Sequence, residues 1–455
     1  MHDRRQLWMA GAAAVAFAVV VGAQPRFDQA TRQRLEESVL HGSALTYATA
    51  LTQTIGARVA GSPAYDRAAQ WAADQFKAAG ANNVILEPFT IPRGWQRDQR
   101  GRARVIAPVV RPLVVESFGW APSLPDGGIE ADVIAGDDAL ASQPERARGR
   151  VVLAAGDISR DLERRLVKAG ALALLFTDSG DDDEVAVRVR SFTGEIAALP
   201  IASIGADSGE LLRDLLRQGP VRISLEYRNR ISDGPVTLSN VIAEIAGSDR
   251  PGESAEFIVV GAHLDSWDFA TGAQDNATGV AMVLEAARAI AALGRPPRRT
   301  IRFALWGAEE QGLLGSAAYV RAHARELDRC VAVLNADGGT SRIIGWTTPG
   351  RDDVRRAVEE LSRALLAGLH ADAVDKRMQY AFDSDGAAFI RQGIPTLDMN
   401  TDDEAYERIH HKQSDTIDRV DEHNLAIGAA MVAITAWAIA DAPQRIAPRG
   451  PRLKE

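Results

Sequence analysis

From Val236 onward, short apolar runs alternate with longer stretches whose apolar residues recur every three to four positions. Ile242–Ile245, Phe257–Ala262, Ile301–Trp306 and Val331–Asn335 are apolar almost throughout, which predicts short buried strands. Between and after them, Thr278–Leu293, Ser316–Leu327 and Val354–Leu369 carry helical periodicity. This βαβα rhythm predicts an α/β fold with a mixed, mostly parallel central sheet covered by helices on both faces.

The N-terminal part reads differently. Gln24 to Ile55 has few breakers and a helical character. Ser62-Pro63 then opens a helix: Ser62 suits the cap, Pro63 the first turn, and Asp66 the positive end of the dipole. Ala68, Trp71, Ala72 and Phe76 fall on one face, and Gly80 closes the segment. A strand follows over Val84–Ile91. From 112 to 228 the texture changes to short β-like runs, such as Val151-Val152-Leu153 and Ile201–Ile204, separated by Gly, Asp and Pro turns. One helix-like stretch, Leu162–Ala169, leads into the apolar run Ala171–Phe176. We expect a small inserted β-rich domain at 112–228, within a larger domain formed by 24–111 and 229–443. The Pro- and Arg-rich end, 444–455, reads as a disordered tail. The acidic run Asp181-Asp182-Asp183-Glu184 reads as a solvated loop, since its spacing does not suit a calcium loop.

Composition narrows the class. With 46% hydrophobic residues the chain can build sizeable cores, and a net charge of -9 argues against a nucleic-acid partner. Arg4 and Arg5, the apolar run Leu7–Val21 and the small residues Val21-Gly22-Ala23 predict an export signal over 1–23. The protein is then secreted or periplasmic. An uncleaved anchor is the alternative, but the run falls short of the roughly 20 residues that span a bilayer. No stable membrane span is expected once the signal is removed. The single cysteine, Cys330, excludes an internal disulfide and opens an apolar stretch, which suits a small buried side chain.

Ligands of open α/β sheets collect at the carboxyl ends of the strands. His263-Leu264-Asp265, Glu309-Glu310 and Asp337 each follow an apolar strand here. Asp275 opens the helix after the first of these strands, and His410-His411 lies far downstream. Singly, each has an ordinary explanation: a packed histidine, a solvated acidic pair, a helix cap, a turn residue. Together at consecutive strand ends they suit zinc, and shared carboxylates suit two ions.

The blocks Gly261-Ala262-His263-Leu264-Asp265-Ser266-Trp267, Asp275-Asn276-Ala277-Thr278-Gly279, Trp306–Ser316 and Asn335-Ala336-Asp337 resemble the co-catalytic zinc exopeptidases. That family includes bacterial leucyl aminopeptidases and glutamate carboxypeptidases. His411-Lys412-Gln413-Ser414-Asp415-Thr416 is similar to its last ligand block, and Ser384-Asp385 with Gly393-Ile394-Pro395 also fits. The doubled His410-His411, the His263-to-Asp275 spacing and the stretch Gly61–Pro92 resemble the plasma glutamate carboxypeptidase (carboxypeptidase Q) branch most.

The resemblance implies a zinc exopeptidase fold, two Zn2+ per chain and peptide substrates. It implies His263 and Asp337 on one ion, Glu310 and His411 on the other, and Asp275 bridging. Glu309 would be the general base and His410 an oxyanion donor, where some relatives have tyrosine. Asp265 would orient His263 through its second ring nitrogen. The insert would be a protease-associated domain, and a homodimer is allowed. Two other outcomes on the same fold are an inactive receptor-like protein and a single-zinc cyclotransferase-like enzyme. Phe382, Phe389 and Tyr406 are candidates for a specificity pocket, with core packing as the alternative for each.

Overall fold

Why the chain places its acidic and imidazole groups together follows from its sheet order. The computed structural model describes residues 28–453, except 155–157, 179–182, 250–254, 379–381 and 403. The predicted export signal lies outside these residues. Eight strands form a first sheet in the order Asn82–Ile91, Val236–Ile245, Thr300–Trp306, Phe257–His263, Cys330–Asn335, Thr396–Thr401, Ile343–Thr347, Ala373–Asp375. The four central strands, from Thr300–Trp306 to Thr396–Thr401, run parallel. Val236–Ile245 and Ile343–Thr347 join them antiparallel on either side, so the sheet is mixed.

Strand alternation sorts side chains between two layers. Ile258, Val260 and Ala262 pack with helices Thr278–Ala291 and Glu422–Asp441 on one face. Phe257 and Val259 pack with Tyr319 and Phe389 on the other. Each fully buried aliphatic side chain contributes about 1.5–3 kcal/mol. Glu422–Asp441 is long and apolar enough to cross a membrane, yet 78% of its apolar window is buried inside the protein, as befits a core helix. Helix Pro63–Ala78 starts as its sequence predicts, with the Tyr65 N–H donating to Ser62 Oγ at 3.2 Å. Such a cap contributes about 1 kcal/mol. Cys330 is buried, and burial pushes its thiol up to about 12.

A second eight-stranded sheet takes its strands from Trp95 to Ile231 rather than from within 112–228. The long strand Trp95–Ala107, expected within the larger domain, instead pairs with Arg222–Ile231; its Arg- and Gln-rich sequence carries no apolar strand pattern. Nor is this unit simply β-rich. Ile129–Gly136, Val151–Ala154, Ala173–Thr177 and Ile201–Ile204 are parallel neighbours. Parallel pairing requires crossovers, here helices such as Arg160–Ala169. Val151 and Leu153 meet Leu212 of helix Ala206–Gln218 on one face; Val152 and Ala154 meet Leu166 on the other.

The tail is also corrected: residues 444–453 follow the first unit by hydrogen bonds rather than lying disordered. Gly450 N–H donates to Gly393 O at 2.7 Å, Leu453 N–H to Arg391 O at 2.9 Å, and Arg449 Nε to Gln392 O at 2.7 Å. Of the acidic run, 181 and 182 lie outside the described residues. Asp183 and Glu184 are not merely solvated: Asp183 accepts from Ser208, and Glu184 accepts from Ser414.

Candidate metal centre

Three of the parallel strands deliver their next residues to one edge of the first sheet. His263 ends its strand, Glu309 and Glu310 follow Thr300–Trp306, and Asp337 follows Cys330–Asn335. The chain after Trp306 turns sharply, with Ala308 at φ 57°, Gly312 at φ 124° and Leu313 at φ 61°. Asp275 belongs to the irregular turn Ala273–Ala277 that leads into helix Thr278–Ala291. His411 sits at φ 59° in the loop beyond Glu404–Glu407.

These groups converge on Asp275. His263 Nε2 is 3.0 Å from Asp275 Oδ1 and 3.5 Å from Asp337 Oδ1. His411 Nε2 is 3.2 Å from Asp275 Oδ2 and 3.0 Å from Glu310 Oε2. One carboxylate thus faces two imidazoles, one per oxygen, and each imidazole faces a further carboxylate. The other oxygen of Glu310, Oε1, is buried and has no hydrogen-bond partner among the described residues.

The electrostatics of the cluster follow from its crowded carboxylates. Burial, then the charges of Asp337 and Glu310, push Glu309 well above the usual carboxylate range, against the pull of His263. Burial and the Asp275 charge push Glu310 up to about 7. Burial opposes protonation of His263 and His411, but the surrounding carboxylates outweigh it and raise both. Several acidic groups crowd one largely buried site, an arrangement that favours bound positive charge.

Hydrogen bonds fix the elements that carry these groups. Asn335 Nδ2 donates to Ser384 Oγ at 2.8 Å, and Ser384 Oγ donates to Asp337 Oδ2 at 2.6 Å. Asp265 meets the second ring nitrogen of His263, as expected, but through its backbone oxygen. His263 Nδ1 lies 3.1 Å from the Asp265 carbonyl oxygen and 3.8 Å from its carboxylate. That carboxylate accepts the backbone N–H groups of Glu309 and Glu310, at 3.1 and 3.4 Å, and so braces the Glu309-Glu310 turn. His410 Nε2 stands 3.6 Å from Asp275 Oδ2, and its ring stacks on Tyr406 at 4.9 Å. Burial and the neighbouring His411 push His410 down to about 4, so its imidazole is neutral at ordinary pH.

Two residues without an assigned part belong to this scaffold. Asp415 accepts the amides of Ala273, Gln274 and Asp275. Arg58 is wholly buried and donates to the carbonyls of Gly56, Leu264, Thr271 and Gly272, stitching together the loop between His263 and Asp275. Asp415 was visible in the last sequence block; a lone Arg58 beside Gly56 and Ala57 carries no such signal.

The centre opens into a cleft of about 1340 Å³ lined also by Phe192, Arg321, Arg377, Phe382, Tyr406 and Leu453. Phe389 does not reach it. That ring is fully buried against Trp306 and Tyr319.

Known proteins resemble this chain in sequence and in fold. Residues 240–436 match the description Peptidase family M28. Carboxypeptidase Q of Mus musculus is 29% identical over 405 residues, covering 86% of this chain and 84% of its own. The structure of a peptidase M28 precursor from Shewanella amazonensis is 27% identical, has a TM-score of 0.80, and covers 93% of this chain and 99% of its own. A zinc aminopeptidase from Bacillus subtilis shares the fold, with a TM-score of 0.68 at 22% identity over 90% of this chain and 98% of its own.

Proposed function

Because the chain belongs to peptidase family M28 and is a metallo-exopeptidase, we propose that it is an exported di-zinc enzyme that cleaves dipeptides or short peptides. The observation that carries the two-ion reading is the double-faced Asp275, with His263 on one oxygen and His411 on the other. Zinc–donor bonds of about 2.0–2.1 Å make tetrahedral donor-to-donor edges of roughly 3.3 Å. The separations of 3.0–3.5 Å among these nitrogen and oxygen atoms fit that requirement, and the orphaned Glu310 Oε1 offers a further donor. His263, Asp275 and Asp337 would hold one ion, and Asp275, Glu310 and His411 the other.

Zinc bound there supplies a Lewis acid that polarises the scissile carbonyl and acidifies water. The chain's own groups do the rest. Glu309 takes the proton of the attacking water at its carboxylate and returns it to the departing amine. Its burial and anionic neighbours raise its affinity for that proton, as a base working near neutrality needs. Asp265 holds the Glu309 backbone in place. His410, kept neutral, donates a hydrogen bond to the carbonyl oxygen as negative charge develops on it. The complete set of ligands and base favours an active enzyme over a receptor-like relative, and the second trio favours two ions over one.

The test is a panel of free dipeptides and N-blocked peptides given to the purified protein, with and without chelator. Chelator-sensitive release of amino acids from the free dipeptides is the expected result. Equal cleavage with metal stripped away would overturn the reading.

A further inference from the structure

The second unit does not end at its own core. Its segment 183–196 crosses to the metal centre and is held there on both sides. Ser414, three residues after His411, donates its N–H and Oγ–H to Glu184 at 2.7 and 2.9 Å. Val187 N–H donates to the carbonyl of His411 itself at 2.9 Å. Further along, the carbonyl of Phe192 presses on Gly312 in the turn that carries Glu309 and Glu310. A Cβ at Gly312 would stand 2.2 Å from that oxygen, and Gly312 adopts φ +124°, so glycine alone admits the approach.

The backbone of Phe192 therefore packs against the Glu309-Glu310 turn, yet its ring is left in water. At 72% exposure it is the most exposed large hydrophobic side chain among the described residues. The ring lines the same cleft as His263, Glu309 and Asp337, and Phe382 and Leu453 add apolar surface to that cleft. The hydrogen bonds at Glu184 and Val187 and the close approach at Gly312 set this exposed ring at the edge of the reaction site. Apolar surface left open in a concave site is recovered by covering it with an apolar ligand group.

We propose that Phe192 is a specificity-determining residue: its ring forms an apolar wall that selects peptides with a bulky apolar side chain beside the scissile bond. The proposal rests on the peptidase reading of the cleft. It makes the second unit part of the substrate site rather than a passive appendage.

The experiment uses the full-length, zinc-loaded protein and its Phe192→Ala and Phe192→Leu variants on the matched dipeptides Leu-Ala, Ala-Leu and Ala-Ala. Phe192→Ala should lower kcat/KM roughly tenfold for a leucine-bearing peptide, with Ala-Ala within about twofold of wild type. Phe192→Leu should keep most of the selectivity. Thermal unfolding should not move, because the ring lies outside the cores. An unchanged ratio of leucine- to alanine-peptide turnover in Phe192→Ala overturns the proposal. Calorimetric binding of free leucine against free alanine reads the wall without catalysis. If no peptide is cleaved by any form, the peptidase reading falls. The wall then stands if wild type prefers leucine and Phe192→Ala does not, and falls otherwise.

Discussion

Asp415 accepts the backbone N–H of Asp275 at 3.3 Å through Oδ2, while its Oδ1 takes the amides of Ala273 and Gln274 at 3.1 and 2.6 Å. A residue 140 positions away thus clamps the turn whose side chain faces both His263 and His411. The loop that supplies His411 thus also shapes the turn that carries Asp275, which ties the two sides of the cluster together.

Asp415→Asn should expose this coupling. The amide nitrogen cannot accept the backbone N–H groups, so the turn loses part of its clamp. Zinc affinity should fall by roughly 10–100-fold, as when a partner that orients a ligand is removed. Competition against a chromophoric chelator measures it; wild-type affinity would show that Asp415 is dispensable for the centre.

Glu309→Gln separates the base from the ligands. The variant should bind zinc and unfold like wild type, because Glu309 faces the cleft and the ligand trios are intact. Turnover should drop by roughly 10²–10⁴-fold. Wild-type turnover would remove Glu309 from the mechanism.

His410→Phe tests the oxyanion donor. The phenyl ring can keep the stack on Tyr406 but offers no N–H. A lower kcat with zinc content unchanged is the expected outcome. A loss of zinc instead would make His410 a ligand, consistent with its 3.6 Å approach to Asp275.

The acidic and imidazole groups at strand ends were legible because an apolar run stops abruptly at a charged or imidazole group, as at Val260–Ala262 followed by His263. Asp275 and His411 were legible only through the company they keep, since neither position is marked by periodicity. Asp265, two residues after His263, was expected to meet the second ring nitrogen; it does so through its backbone carbonyl, which leaves its carboxylate to the amides of Glu309 and Glu310, a detail no spacing encodes. Arg58 was invisible. Its importance comes from four carbonyls that meet only in the folded loop. The second unit's start was missed because Trp95–Ala107 alternates charged residues on a sheet whose other strands carry the apolar pattern. Arginine-rich residues near the C-terminus read as tail, while Arg449 in fact reaches the Gln392 carbonyl.

Stability should respond to pH through His323, far from the chemistry. Burial disfavours its charge, but hydrogen bonds to Glu326 and Glu87 outweigh this and raise it to about 9. A raised histidine stabilises fully below its unfolded value of about 6.5 and loses that contribution as pH rises through about 9. His323→Gln should therefore be less stable by about 1–3 kcal/mol at pH 6, with the gap closing toward pH 10. Denaturant unfolding at the two pH values checks it; a gap that persists at pH 10 would mean that packing on Tyr319, rather than charge, carries the effect.

The most direct measurement is a zinc titration of metal-free protein, reading bound metal by elemental analysis and dipeptide cleavage on the same samples. Saturation at two ions per chain, with cleavage rising alongside and with Asp275→Ala failing to hold the pair, is the predicted result. Full activity at one ion per chain, or cleavage that persists in the metal-free protein, would contradict a centre built around the two faces of Asp275.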